Sequence, residues 1–146
     1  MPFCKQEEIL HEILSHKFFR RNCQDNTGIG MQMAENAQYK FGKFRVEGIT
    51  FTNKIKEELA YNLRTEFENK TVFIPKRHEI REDLHSIRRL TTSAGNIRFD
   101  AERSDNGHAD RFWALALALH AVNNSSGEIN ISTRRKRKMP ELLKPF

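Results

Sequence analysis

The chain has 146 residues, a length that suits one domain with its own core. Its formal charge of +6 invites an anionic partner, but five basic residues form the single run Arg134, Arg135, Lys136, Arg137 and Lys138; setting that run aside leaves 20 basic residues, 25 less 5, against 19 acidic. The two cysteines, Cys4 and Cys23, lack metal-knuckle spacing and form no disulfide framework, and no apolar signal region opens the chain, so the expectation is a cytosolic protein with free thiols.

In chain order, residues 6–18 set Ile9, Leu10, Ile13 and Leu14 against a polar face and predict an amphipathic helix. Residues 19–25 predict a short strand, ending at Asn26, Thr27, Gly28, Ile29 and Gly30, where two close glycines mark a tight turn. A helix over 31–41 follows, with Met33, Ala34, Ala37 and Phe41 inward and Gly42 closing it. The order strand, glycine turn, helix is that of an α/β unit.

It repeats: residues 44–51 alternate as a strand, and Thr52 or Asn53 caps a helix to about Asn69 with Ile55, Leu59, Leu63 and Phe67 as its inner stripe. Residues 71–75 read as a strand stopped by Pro75. Residues 78–90 read as a charged helix burying Ile80, Leu84 and Ile87, and residues 97–102 as a last short strand after a turn at Ala94, Gly95 and Asn96. Two segments are expected, a domain over 1–124 and a loose basic tail over 125–146.

The most lopsided stretch runs from Gly107 to Leu119, a polar turn with His108 and Asp110 that leads directly into Phe112, Trp113 and alternating alanines and leucines. No face of residues 112–122 is charged, which predicts a core helix covered on several sides and, at about a dozen residues against the roughly 20 needed, not a membrane span. Asp110 then sits in the first turn of a buried helix, where a carboxylate is favoured and held rigidly at the margin of the core. By itself such an acid is most often only a complement to the helix end, and Asp25-Asn26-Thr27-Gly28 is most often only a turn. An acid at the carboxyl end of a strand, followed by a glycine turn into a helix, does lie on the edge where open α/β sheets place ligands.

Both stretches resemble motifs of one family. Residues 107–118 resemble the last acidic motif of the nuclease domain in large terminase subunits, the DNA-packaging motors of tailed phages, and most closely those of Mu-like phages and prophages. Residues 25–30 resemble the second acidic motif of the same domain, and segments around Val46–Thr52, Lys56, Ile74-Pro75 and Arg81–Leu84 resemble the connections, for a coverage of about 5–123.

The resemblance implies an α/β, ribonuclease H-like mixed sheet flanked by helices and a metal-dependent endonuclease that cleaves double-stranded phage DNA. It implies Mg²⁺ or Mn²⁺ in a two-metal site, hard cations suited to carboxylates, with Asp25 and Asp110 as ligands and His108 as a catalytic neighbour. The family's first acid lies on hairpin strands upstream of the first helix, for which the chain has no room before Met1, and the phosphate-loop ATPase region is missing too. A truncated or split prophage gene, or a piece cut from a longer protein, is expected, with Asp100, Glu102 and Asp105 reading more simply as strand-end and turn residues and Glu102 or Asp105 as the less favoured candidates to reach a metal.

The implied partners are double-stranded phage DNA, the small terminase subunit, the portal and a separate ATPase part, in the cytoplasm of a bacterial host. The alternative is an inactive remnant or a module binding DNA or a packaging partner through Arg134 to Lys138, which offers no base readout. Arg20, Arg21, Lys54 and Lys56 are expected to be solvated. Without the hairpin strands, the strand at 19–25 is expected to become an exposed sheet edge and a route to a homodimer, or to be blunted by the helix at 6–18 folding over it.

Overall fold

The computed structural model describes residues 1–93, 95–101 and 109–123. Helix α1 (Phe3–Ser15) is followed by β1 (Asn22–Asp25), α2 (Ile29–Phe41) and β2 (Val46–Ile49). β1 and β2 pair in parallel with Cys23 opposite Glu47 and Asp25 opposite Ile49. The ladder runs one residue further, where the Asn26 N–H donates to the Ile49 carbonyl at 2.9 Å.

Side chains alternate across a strand, so Asn22, Gln24, Val46 and Gly48 share one face of this pair and Cys23, Asp25, Glu47 and Ile49 the other. On the first face Val46 is fully buried with Leu14 of α1 and Ala37 of α2, and Leu10, Phe19 and Phe41 pack around them. The second face carries the larger core. There Cys23 and Ile49 join a cluster with α5 (Asp110–Asn123), through Phe112, Trp113, Ala116, Leu117 and Ala121; α5 packs on β1 and in turn on α3 (Asn53–Glu68), which contributes Leu59, Ala60 and Leu63. Helices therefore cover both faces of the parallel pair, the arrangement that strands buried on two sides require.

Local chemistry accounts for the helix ends. The Thr52 hydroxyl accepts from the Ile55 N–H at 3.2 Å, as its capping residue type predicts, and Gly42 ends α2 at φ +87°, a conformation open to glycine. The expected inner stripe of α3 holds: Leu59 and Leu63 are buried and Ile55 and Phe67 pack against the core.

Three elements differ from their sequence pattern. Residues 71–75 form no strand; Phe73 is 92% exposed, and among the described residues no ladder partner lies beside them. The helix expected over 78–90 stops as α4 (His78–Ser86), half-burying Ile80 and Leu84 and burying nothing fully. Ile87 instead opens β3 (Ile87–Thr91), which pairs antiparallel with β4 (Ile97–Ala101) across a turn whose Gly95 has φ +80°. A hairpin ladder reachable through that glycine outweighs the helical spacing of Ile80, Leu84 and Ile87.

Helix α5 is also less enclosed than its composition predicts. Ala114, Ala118 and Val122 are exposed. At 3.6 residues per turn, alanines two apart fall on opposite sides, so Ala116 turns into the core while Ala114 and Ala118 turn away from it. The α/β expectation stands, with parallel and antiparallel pairing both present among the described strands as two separate ladders. Among the described residues no helix is long and apolar enough to cross a membrane.

Candidate functional site

The direction of α5 over the sheet decides where its first residue lies. Trp113, in its opening turn, packs against Phe51 just beyond β2, with ring centroids 5.4 Å apart. His120, two turns later, lies beside Cys23 and Glu47, within the strands. α5 therefore runs antiparallel to β1 and β2, and Asp110 starts the helix at the carboxyl edge of the strands, the edge at which Asp25 ends β1. Asp25 projects on the face that α5 covers.

Each acid is held by its surroundings. Asp25 Oδ1 accepts from the Thr27 N–H at 3.0 Å and the Thr27 hydroxyl at 2.6 Å, a local turn that fixes the carboxylate. Gly28 then takes φ +56°, and Gly30 brings α2 so close that a Cβ there would lie 2.5 Å from the Asp25 carbonyl oxygen. Both glycines of the motif are thus required, one by conformation and one by space.

Asp110 is exposed and follows Ala109, which is 4% exposed and has φ +56°, a left-handed conformation uncommon outside glycine. The Ala109 carbonyl accepts from the Phe112 N–H at 3.0 Å and the Trp113 N–H at 3.3 Å, so the strained residue is anchored by the helix it begins. Asp83 of α4, which sequence reasoning treated only as part of a connection, accepts from the Arg111 N–H at 3.0 Å and from Arg111 Nη1 at 3.3 Å. It caps α5 one residue from Asp110 and ties α4 to that edge.

Lys56 is half-buried rather than solvated, with Nζ 5.2 Å from the Trp113 ring centroid and 5.7 Å from that of Phe51. Arg21 likewise is not simply solvated: it forms an ion pair with Glu47. On α5's outer side, Ile74, Pro75, Arg77, Ile80, Arg111 and Leu115 line a surface groove, which Lys76 and Arg81 extend.

Asp25 and Asp110 share an edge, but among the described residues no third potential ligand joins them in a cluster of three. His108, Glu102, Asp105 and the basic run Arg134, Arg135, Lys136, Arg137 and Lys138 lie outside the described residues. Asp100 reads as expected, a strand residue engaged by Arg98 and by the Ala101 N–H.

A group that sequence reasoning missed lies deeper on the same face. Cys23, Glu47 and His120 bring their donor atoms within 4.8 Å of one another. Burial first, and Glu47 second, push the Cys23 thiol up to about 11. Burial also works to raise the Glu47 carboxyl, but its bonds to Arg21 and Cys23 outweigh that and hold it below the usual glutamate range. No spacing in the sequence announces these residues, since only the β1–β2 register and the antiparallel course of α5 bring them together.

Parallel strands with helices on both faces, and two acids gathered at the strands' carboxyl edge, define an α/β domain of the kind that places ligands at that edge. Residues 1–122 match the family model described as the terminase RNaseH-like domain, and the chain belongs to that family. Comparisons with curated proteins and with solved structures found no match.

Proposed function

We propose that this domain is the DNA-cleaving part of a phage packaging machine, cutting concatemeric or integrated double-stranded DNA when packaging starts and ends. The observation that carries the reading is the antiparallel course of α5, which sets Asp110 at the same edge as Asp25. Both are hard oxygen donors of the type Mg²⁺ and Mn²⁺ prefer. A cation of this class, when bound, supplies activation of water and stabilisation of the leaving oxygen.

The chain's own residues do the positioning. Thr27 holds Asp25 by one oxygen and so orients the other. Asp83 fixes the start of α5 and with it Asp110. Lys56 supplies a cation near that edge, and Lys76, Arg77 and Arg81 give the adjoining groove a row of phosphate contacts. His108 and the run Arg134 to Lys138 complete the proposed set, the first as a polarising neighbour and the second as a non-specific DNA grip. The cell compartment in this reading is the cytoplasm of the bacterial host, and the partners are the small subunit, the portal and an ATPase part. β1 pairs with β2 alone among the described strands, so its other edge is proposed as a pairing surface for a second copy.

On this reading Asp25 and Asp110 as a pair bind Mn²⁺ weakly, and efficient cleavage needs a further ligand. The test is Mn²⁺ titration of the full chain by water-proton relaxation, with plasmid nicking in parallel. Weak binding lost in Asp25→Asn and in Asp110→Asn, with little nicking, is expected. Binding that survives both substitutions refutes the site. Robust nicking abolished by Asp110→Asn would refute the need for a further ligand.

A further inference from the structure

Cys23, Glu47 and His120 come from three elements, β1, β2 and α5, and offer a thiol, a carboxylate and an imidazole within 4.8 Å of one another. Among the described residues this is the one such group of three. It is distinct in chemistry from the carboxyl edge: Cys23 lies two residues before Asp25 on the same face, one pleat further into the sheet, and is 9% exposed.

The distances suit a small tetrahedral ion. With Zn–S about 2.3 Å and Zn–N or Zn–O about 2.0–2.1 Å, neighbouring ligand atoms stand about 3.3–3.6 Å apart. Cys23 Sγ and Glu47 Oε2 are already 3.3 Å apart, and their pairing is fixed by the register of the two strands. The imidazole then needs to close by at most about 1.5 Å, within the reach of a side-chain adjustment.

We propose that Cys23, Glu47 and His120 form a site for one zinc-class divalent cation, with three protein ligands and a fourth position for water. Thiolate and imidazole select such an ion over Mg²⁺ or Mn²⁺, so the site does not compete with the edge carboxylates. On binding, the S–H bond of Cys23 breaks, its electron pair forms the metal–sulfur bond, and the proton leaves to solvent. Arg21 now bonds the same Glu47 oxygen and also the Cys23 side chain, so its guanidinium has to shift outward on metal binding to become an outer partner, and its charge tempers the affinity. The bound ion pins α5, and hence Asp110, to the strand that carries Asp25.

The test uses the full chain with Co²⁺ as a spectroscopic stand-in and Zn²⁺ as competitor. One equivalent of Co²⁺ is expected to give thiolate-to-cobalt charge-transfer absorption and tetrahedral d–d bands, both bleached by Zn²⁺. The signal should persist in Cys4→Ser, Asp25→Asn and Asp110→Asn, and vanish in Cys23→Ser and His120→Asn. In the Cys4→Ser background, Zn²⁺ should also slow disulfide-reagent labelling of Cys23 at least about tenfold, a readout that does not depend on whether Cys23→Ser folds. A cobalt spectrum without the thiolate band, full binding in His120→Asn, or unchanged labelling overturns the site.

Discussion

Replacing Gly30 by alanine tests the seating of α2 on β1, the contact that shapes the turn after Asp25. Gly30 is the second residue of α2, so alanine brings a helix-propensity gain of at most about 1 kcal/mol. Against that gain, the new Cβ would meet the Asp25 carbonyl oxygen at 2.5 Å and its carbon at 3.4 Å. Carbon–oxygen contacts ordinarily begin near 3.3 Å, so the overlap is about 0.8 Å. It sets backbone against Cβ, which no rotamer change relieves, and overpacking of this kind costs roughly 1–3 kcal/mol, rising toward the upper end when the obstacle is rigid.

The net expectation is a loss of about 1–2 kcal/mol, or a fall in Tm of roughly 2–8 °C for a chain of this size. Weakened Mn²⁺ binding should accompany it as the turn carrying Asp25 shifts. Urea unfolding monitored through Trp113, with Mn²⁺ titration of the folded variant, measures both. Gly28→Ala serves as the contrast: nothing lies within 4 Å of its Cβ, yet its φ of +56° with ψ of −124° lies outside even the left-handed helical region and costs about 1–3 kcal/mol by conformation alone. A Gly30→Ala protein as stable as the parent or more so would refute the reasoning, since the propensity term would then act unopposed.

Asp83→Ala removes the acceptor from the start of α5 and should cost about 0.5–2 kcal/mol, with Asp83→Asn milder; equal denaturation midpoints for Asp83→Ala and the parent would deny the cap. Burial works to raise the Asp100 carboxyl, but Arg98 and the Ala101 N–H prevail and hold it below the usual aspartate range. Its folded-state value is thus the lower one, so the stabilisation is present above the ordinary carboxylate range and is lost as pH falls through the folded value. With a side chain 36% exposed it is worth less than about 1 kcal/mol, and thermal unfolding of Asp100→Asn should trail the parent near neutrality and converge with it in acid. Arg77→Gln and Arg81→Gln should each lower the salt slope of double-stranded DNA binding by about 0.9, whereas an unchanged slope would remove the groove from the DNA path. For the outer edge of β1, light scattering with hydrogen exchange should give a dimer protected at Asn22–Asp25, and a monomer exchanging rapidly there would exclude that pairing.

Where local signals agree, the sequence is readable: Thr52 with the stripe Ile55, Leu59, Leu63 defines α3, and Asp25 with its glycine turn defines the β1–α2 junction. Where a distant segment competes, it is not. Val72, Phe73 and Ile74 have strand-like composition, but composition cannot supply the neighbour that a strand needs. Ile87 fits the helical period of α4 equally well as the first rung of β3, and only its partner Ala101 decides. Asp110 was visible because it adjoins the apolar run, while Asp83, 28 positions from the amide it accepts from, carried no local mark. The Cys23, Glu47 and His120 group was hidden for the same reason, being a product of register and helix direction.

The antiparallel course of α5 has an electrostatic consequence at the carboxyl edge. α2 begins just after β1 and α3 just after β2, and the first turn of α5 packs against Phe51, so three helices begin at one end of the parallel pair. Each helix start carries roughly half a positive charge, about +1.5 in all, set against the two acids Asp25 and Asp110. The three helix starts therefore offset most of the charge of this acid pair, with Lys56, Arg111 and Asp83 adding charges of both signs close by. On the proposed reading, the backbone softens the mutual repulsion of the two acids before a cation or a polyanion arrives.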